Sequence, residues 1–503
     1  MQTENRWTEE ADVVVVGYGG AGAAAAMTAH DAGARVLLLE KQTADTPELT
    51  RHIPNTRVSA GAWLSPTDVE AAVLHFEAMA RVAHETLDEE RRAVIRTLAV
   101  HLAENDRWLR GLGAQWADGD RALHTDYPEL PGAEAMAVHA PKPDGKWRNG
   151  PAIFKVLAEN VARRNIPVLW ETAGRELVVE GGEVRGVIAE RGGQRLAIRA
   201  SRAVVLTCGG FEFNEWMKQN YLRAYPVYFR GCLANTGDGI SMALGVGAAL
   251  WHMNCTSWRA VMKTPDLVFA RRHIAAGEVF VDKRGRRFAN EVYRGHAFGY
   301  DLVGYESGTL NYPRIPCYWV FDEKRMRAGS LAETAGPCNP PGGVPGPAFY
   351  VWSQDNQEEL RKGWVMQANT LAELAKKIAQ DQDNQGMMTA RALQETVRGY
   401  NRCCLKGEDA EFRRPTETLI PLKDPPYYAV KLWPGSTNTQ GGPKRNPRCQ
   451  VLRPDGAPIP RLYSAGELGS FWGMLTENGA GTGEAYASGR IAGGNADSEK
   501  PRR

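Results

Sequence analysis

Near the start of the chain, Gly17-Tyr18-Gly19-Gly20-Ala21-Gly22 has the spacing G-x-G-x-x-G, which can hold the pyrophosphate of a dinucleotide. Gly17 allows a tight turn, Gly19 lets the backbone approach the phosphates, and Gly22 lets a helix pack closely on a strand. Gly20 and Ala21 open that helix, whose N–H groups donate to the phosphate. Glu40 ends the next apolar run, where it can accept hydrogen bonds from a ribose, and Lys41 follows it. A glycine-rich turn beside an acidic surface residue is the plain alternative, and the complete strand, turn, helix and strand argue against it. A second glycine-rich set lies near the other end of the chain. Leu462-Tyr463-Ser464-Ala465-Gly466-Glu467 reads as a short strand, and Asn478-Gly479-Ala480-Gly481-Thr482-Gly483 as a turn opening a last helix. A long cofactor laid across a sheet needs such a second contact set, because a carboxylate and amides at a helix N-terminus suit a ribityl chain and a flavin carbonyl. NAD does not need it. The expected cofactor is therefore FAD, with an NAD-dependent dehydrogenase using only the first motif as a further alternative.

The elements that must position these residues follow from periodicity. A β-branched run over 12–16, an alanine-rich helix over 21–32 and an apolar run over 35–39 make a parallel βαβ unit. Residues 152–164 read as a helix, 177–189 as a hairpin centred on Gly181 and Gly182, and 203–207 as a strand running into Gly209 and Gly210. From about 264 to 426 the texture changes, with clustered proline and glycine, frequent aromatics and irregular connections. This predicts an α/β protein whose Rossmann-like FAD-binding domain is split in sequence into 1–263 and 427–503, around an inserted α+β domain at 264–426. The length of 503 residues suits more than one domain. With 61 basic and 59 acidic residues, nothing suggests a surface built for nucleic acid. No apolar run reaches membrane-spanning length and no secretory leader is apparent, so a cytoplasmic address is expected. The eight cysteines form no C-x-x-C, so no metal site is expected.

The motifs together resemble the FAD-dependent fumarate reductase and 3-ketosteroid dehydrogenase superfamily. The likeness runs through the first glycine turn and Glu40, Asn55-Thr56-Arg57-Val58-Ser59-Ala60-Gly61, Cys208-Gly209-Gly210-Phe211 and Asn235-Thr236-Gly237-Asp238-Gly239. It continues in Arg287-Phe288-Ala289-Asn290-Glu291, Thr439-Gln440-Gly441-Gly442, Tyr463 to Glu467, and Gly489-Arg490-Ile491-Ala492-Gly493. The resemblance implies a capping domain that holds substrate against the flavin. It places Arg57, Ser59, Ala60, Gly61, Gly209, Gly210, Asp238, Gly466, Glu467, Gly481 and Thr482 among the cofactor contacts. The closer texture is that of the ketosteroid dehydrogenases. Asn438 stands where fumarate reductases carry a histidine, and Thr476 and Glu477 where they carry a carboxylate-clamping arginine, which argues against a small dicarboxylate. Leu475 is nearest to the tyrosine of the steroid enzymes. His52 is a poor match to a covalent flavin site, so noncovalent FAD is expected.

Moving hydrogen across a carbon–carbon bond beside a carbonyl needs a hydride carrier, a proton donor or acceptor, and donors for the enolate oxygen. Backbone N–H groups near Gly479 and Gly481 could serve the oxygen. For the proton, the resemblance points to Val292-Tyr293-Arg294-Gly295-His296, with Arg294 or Tyr293 preferred and His296 third; surface or packing roles are the alternative for all three. Trp63, Trp251, Trp433 and Trp472 could wall an apolar substrate but are more often core, and His252 reads as a core histidine. No haem, iron–sulfur or second nucleotide motif occurs, so an external electron acceptor or donor is expected. The expected activity is dehydrogenation of a cyclic ketone or steroid-like substrate. The alternative is the reverse reaction on an enone or enoate, in which case a monocarboxylate could use Arg57, Arg259 or Arg294. Oligomeric state is not encoded in anything legible.

Overall fold

A computed structural model of the chain describes residues 7–46, 50–116, 125–143, 149–292, 295–333 and 350–502. The strand Glu9–Val16 lies between Val36–Leu39 and Gln194–Leu206, parallel to both. Pro458–Ser464 adds parallel to Gln194–Leu206, and Val168–Leu169 adds parallel to Val36–Leu39. Val13 and Val15 pack on the alanine-rich helix Gly20–Asp31, while Val14 and Val16 enter the cluster on the opposite face. Burial on both faces is why this strand reads as a continuous apolar run rather than an alternating one. The predicted hairpin is present as Thr172–Glu180 and Glu183–Arg191, turning on Gly181 and Gly182, and its second strand continues antiparallel onto Gln194–Leu206. The sheet thus takes strands from both ends of the chain, and its parallel carboxyl ends deliver Gly17, Glu40, Thr207 and Ala465 to one edge.

A second, mostly antiparallel sheet of seven strands is built on the long strand Tyr427–Ser436, which pairs with Arg259–Lys263 on one side and Cys317–Asp322 on the other, with Tyr228–Phe229 added parallel at its end. Trp319 and Phe321 enter one apolar cluster and Tyr318 and Val320 another, the alternation of a sheet covered on both faces. Helices Leu371–Gln380 and Ala390–Lys406 supply Leu374, Ile378, Leu393 and Val397 to the second cluster. Thr370 and Thr389 cap them by accepting from the amides of Glu373 and Ala392. The strands of this sheet extend past the expected bounds of 264 and 426 on both sides. Pro434 sits inside the long strand, opposite Ala260, and a proline there makes the segment read as a turn. No helix among the described residues is long and apolar enough to cross a membrane.

Candidate active site

The first glycine turn has the close approaches its sequence requires. Gly17 has φ +106°, and a Cβ on Gly22 would lie 2.0 Å from the Gly17 carbonyl oxygen, so only glycine lets the helix start against the turn. Glu40 is buried beside it. Its carboxylate accepts from the amides of Tyr18 at 2.9 Å and Gln42 at 2.8 Å, with His52 Nε2 at 3.4 Å. Burial opposes ionisation, but the His52 ring and the two amides outweigh it and hold the carboxyl below its usual range. His52 is stacked on Tyr18 and boxed by Phe154 and Trp170, within reach of this carboxylate. Lys41 reaches Asp238 at 2.6 Å and Thr236 at 2.9 Å, tying the end of the second strand to the helix Asp238–Gly245.

One cavity of about 360 Å³ runs along the carboxyl edge of the first sheet. It touches Gly17, Gly19, Gly20, Ala21, Glu40 and Lys41 at the first turn, then Ser59, Ala60, Gly61, Gly209 and Asp238, then Gly466, Glu467, Gly479, Gly481 and Thr482. This is where a ligand binds in an open α/β sheet. Gly22 and Gly210 stand behind the wall. A Cβ on Gly210 would lie 2.0 Å from Thr439 Oγ1 and 2.4 Å from Glu467 Oε1. Arg57 is turned away. Its guanidinium donates to Asp45 at 2.5 Å and to the His52 carbonyl at 2.7 Å, and lies over the Phe154 ring, so it braces the segment that carries His52 and does not line the cavity.

The other half of the cavity is walled from several segments. Glu467 accepts from the Thr439 amide at 3.0 Å and from Asn55 Nδ2 at 2.8 Å, and the same Asn55 amide group donates to Glu212 Oε1 at 3.1 Å. Behind it, Arg445 pairs with the buried Glu484 and donates to the Gly466 carbonyl at 2.9 Å. His296 is held between Asp126 and Arg259: Nδ1 lies 2.7 Å from Asp126 Oδ2, and Nε2 lies 2.8 Å from Arg259 Nη2. A guanidinium has only donors, so Nε2 accepts and the imidazole carries its proton on Nδ1. Burial raises the Asp126 carboxyl, but the His296 hydrogen bond and the charge of Arg259 hold it below its usual range. Asp126 Oδ1 accepts from Asn478 Nδ2 at 3.0 Å, which links the cluster to the turn before the last helix, Ala480–Asp497.

Of the three proton-transfer candidates, the structure brings His296 to the cavity, while Tyr293 and Arg294 lie outside the described residues. The preceding motif is a pin. Arg287 grips Glu291 at 2.6 and 2.7 Å, Arg414 reaches the same carboxylate at 3.2 Å, and Glu291 is fully buried. Glu477, at the expected clamp position, accepts from Thr125 Oγ1 at 2.6 Å and the Asp126 amide at 3.0 Å, with His75 Nε2 at 2.7 Å. None of Trp63, Trp251, Trp433 and Trp472 lines the cavity; the described wall near His296 is polar, with Ser257, Arg259, Asn438 and Gln440. His252 is a core histidine, 2.9 Å from the Ser470 carbonyl and stacked on Trp251, its pKa pushed down to about 4 by burial and by Arg91. Sequence reasoning missed Asp126 and Glu212. Neither stands in a legible motif role, and each matters through a partner far away in the chain. Among the described residues no cluster of potential metal ligands occurs.

A family model described as FAD binding domain matches residues 12–482, a span that contains nearly all of the cavity lining. The 3-oxosteroid 1-dehydrogenase of Mycobacterium tuberculosis is 33% identical over 349 residues, covering 63% of this chain and 57% of that protein. Fumarate reductase (cytochrome) of Shewanella frigidimarina is 26% identical over 498 residues, covering 96% of this chain and 76% of that protein. The chain thus matches little more than half the length of the first of these relatives. The crystal structure of 3-ketosteroid delta1-dehydrogenase from Sterolibacterium denitrificans superimposes with a TM-score of 0.80 at 22% identity, covering 98% of this chain and 100% of that one, a likeness of fold. A matched span that runs from the first glycine turn to the last, around a cavity touching both, means that the chain belongs to the FAD binding domain family of FAD-dependent oxidoreductases.

Proposed function

We propose that the chain binds FAD noncovalently along this cavity and acts on a carbon–carbon bond next to a carbonyl group, with the second sheet and its helices as the cap over the substrate. The residues fit the cofactor: glycines make room where a Cβ would collide, Glu40 offers a carboxylate at one end, and the N-terminus of Ala480–Asp497 offers amides at the other. His52 supports noncovalent binding, because it packs against Glu40 at the expected ribose end. FAD, when bound, supplies the hydride acceptor or donor. The observation that carries the reading is His296, held between Asp126 and Arg259 in the cavity wall.

In the dehydrogenase direction, Arg259 turns its Nη2 to the substrate oxygen, and His296 Nε2 takes the proton from the adjacent carbon. Asp126 fixes the imidazole and stabilises the charge it gains. Backbone N–H groups at Gly479 and Gly481, at the positive end of the last helix, oppose the charge growing on the oxygen. The same groups run in reverse protonate an unsaturated substrate. The 33% identity to a protein named 3-oxosteroid 1-dehydrogenase supports a ketone substrate. A carboxylate substrate is the second reading, favoured by Arg259 and Arg230 in a wall that holds no tryptophan among the described residues. On this reading electrons are exchanged with an external partner. The test is anaerobic bleaching of the purified protein by a panel of saturated ketones, steroids and carboxylic acids. Bleaching by a ketone supports the first reading, bleaching by an acid the second. Bleaching by neither, together with no reoxidation of reduced protein by the unsaturated counterparts, removes both.

A further inference from the structure

Glu212 and Glu467 approach one another on either side of Gly210. Glu212 is fully buried, and Glu467 faces the cavity. Their neighbours are almost all uncharged: Asn55 donates to both, Asn235 Nδ2 donates to Glu212 at 3.3 Å, and the Thr439 amide donates to Glu467. Glu212 Oε2 has no hydrogen-bond donor among the described residues. The cation behind them, Arg445, is committed to Glu484, Ser464 and Gly466, and a further titratable group that senses Glu212 is the Cys232 thiol, which burial pushes up to about 12. Two ionised carboxylates in such a place repel without compensation, whereas one proton between them gives the orphaned oxygen a donor.

We propose that Glu212 and Glu467 share one proton and that this proton holds Glu467 in the position from which it contacts FAD, making Glu212 a positioning residue for the cofactor. The inference rests on the noncovalent FAD reading. Burial raises both carboxyls, Glu467 well above its ordinary value with Glu212 as the further cause, which is the direction that favours a retained proton. When it leaves, repulsion drives Glu467 off the amides of Asn55 and Thr439 and the cofactor is released faster.

Two measurements on the purified holoprotein test this. One is the infrared carbonyl stretch of a protonated carboxyl at neutral pH. The other is the rate of FAD release on dilution, followed by flavin fluorescence. The wild type is expected to show the band, and its release rate to rise as the pH is raised, by about tenfold in all. Glu212→Gln, whose amide donates in place of the proton, is expected to lose the band and release FAD slowly across the range. Glu467→Gln provides a second variant in which both the band and the pH dependence disappear. Absence of the band in the wild type, a flat wild-type release rate, or an unchanged slope in Glu212→Gln would overturn the proposal. The infrared band reads the proton with or without flavin, so its absence sinks this inference alone, whereas protein purified without flavin sinks the cofactor reading.

Discussion

Two glutamates line the same cavity and are driven in opposite directions. Glu40, at the first turn, is held ionised by His52 and two backbone amides. Glu467, beyond Gly466, is pushed the other way, its carboxyl raised by burial and by Glu212. Burial penalises the charge in both, so the sign is set by the neighbours: a ring nitrogen and N–H donors in one case, a second carboxyl in the other. The contrast extends to the two halves of the cavity. The first-turn half is made of backbone amides, glycines and one carboxylate, and it is built to hold a cofactor. The other half gathers His296, Asp126, Arg259 and Asn478 from distant segments, and on the proposed reading it is the half that moves protons.

Breaking the holding half should have the largest effect. Gly22→Val places atoms on the Gly17 carbonyl, and the expected result is protein that is insoluble or free of flavin, read from its visible spectrum. His296→Gln should break only the reacting half, leaving flavin content unchanged while anaerobic bleaching slows by about 100-fold or more. The glutamates themselves should give opposite pH signatures in thermal unfolding. The Glu40 carboxyl is lowered in the fold, so its contribution is present above its unfolded value of about 4.3 and is lost as pH falls through the folded value; Glu40→Gln should flatten that acid limb. The shared carboxyls are raised, so their contribution is present below the unfolded value and is lost as pH rises through the folded one. Glu212→Gln should therefore gain on the wild type at alkaline pH, by on the order of 1 kcal/mol, and no gain would remove the contrast. The smallest effect is expected from His52→Phe, which keeps the stack on Tyr18, removes the ring nitrogen beside Glu40 and lowers the stability to thermal unfolding by about 1 kcal/mol or less.

The same division explains what the sequence made legible. The first turn, Glu40, the hairpin and the last helix are local signals, each written in a few consecutive residues. Arg57 shows the limit of a motif, because a matched position does not say where a guanidinium points; here it points to Asp45. Pro434 hid the strand that joins the two halves of the second sheet. Asp126 and Glu212 were illegible because their chemistry exists only once His296 and Glu467 arrive from far along the chain.

The central claim is that a proton moves at His296 while the cofactor is held elsewhere. Its most direct test is the rate of anaerobic flavin bleaching by the most reactive substrate of the panel, in the wild type and in His296→Gln matched for FAD content. A variant with full FAD content and a rate lowered by about two orders of magnitude is the predicted result. An undiminished rate would contradict the account and move the proton chemistry to another group.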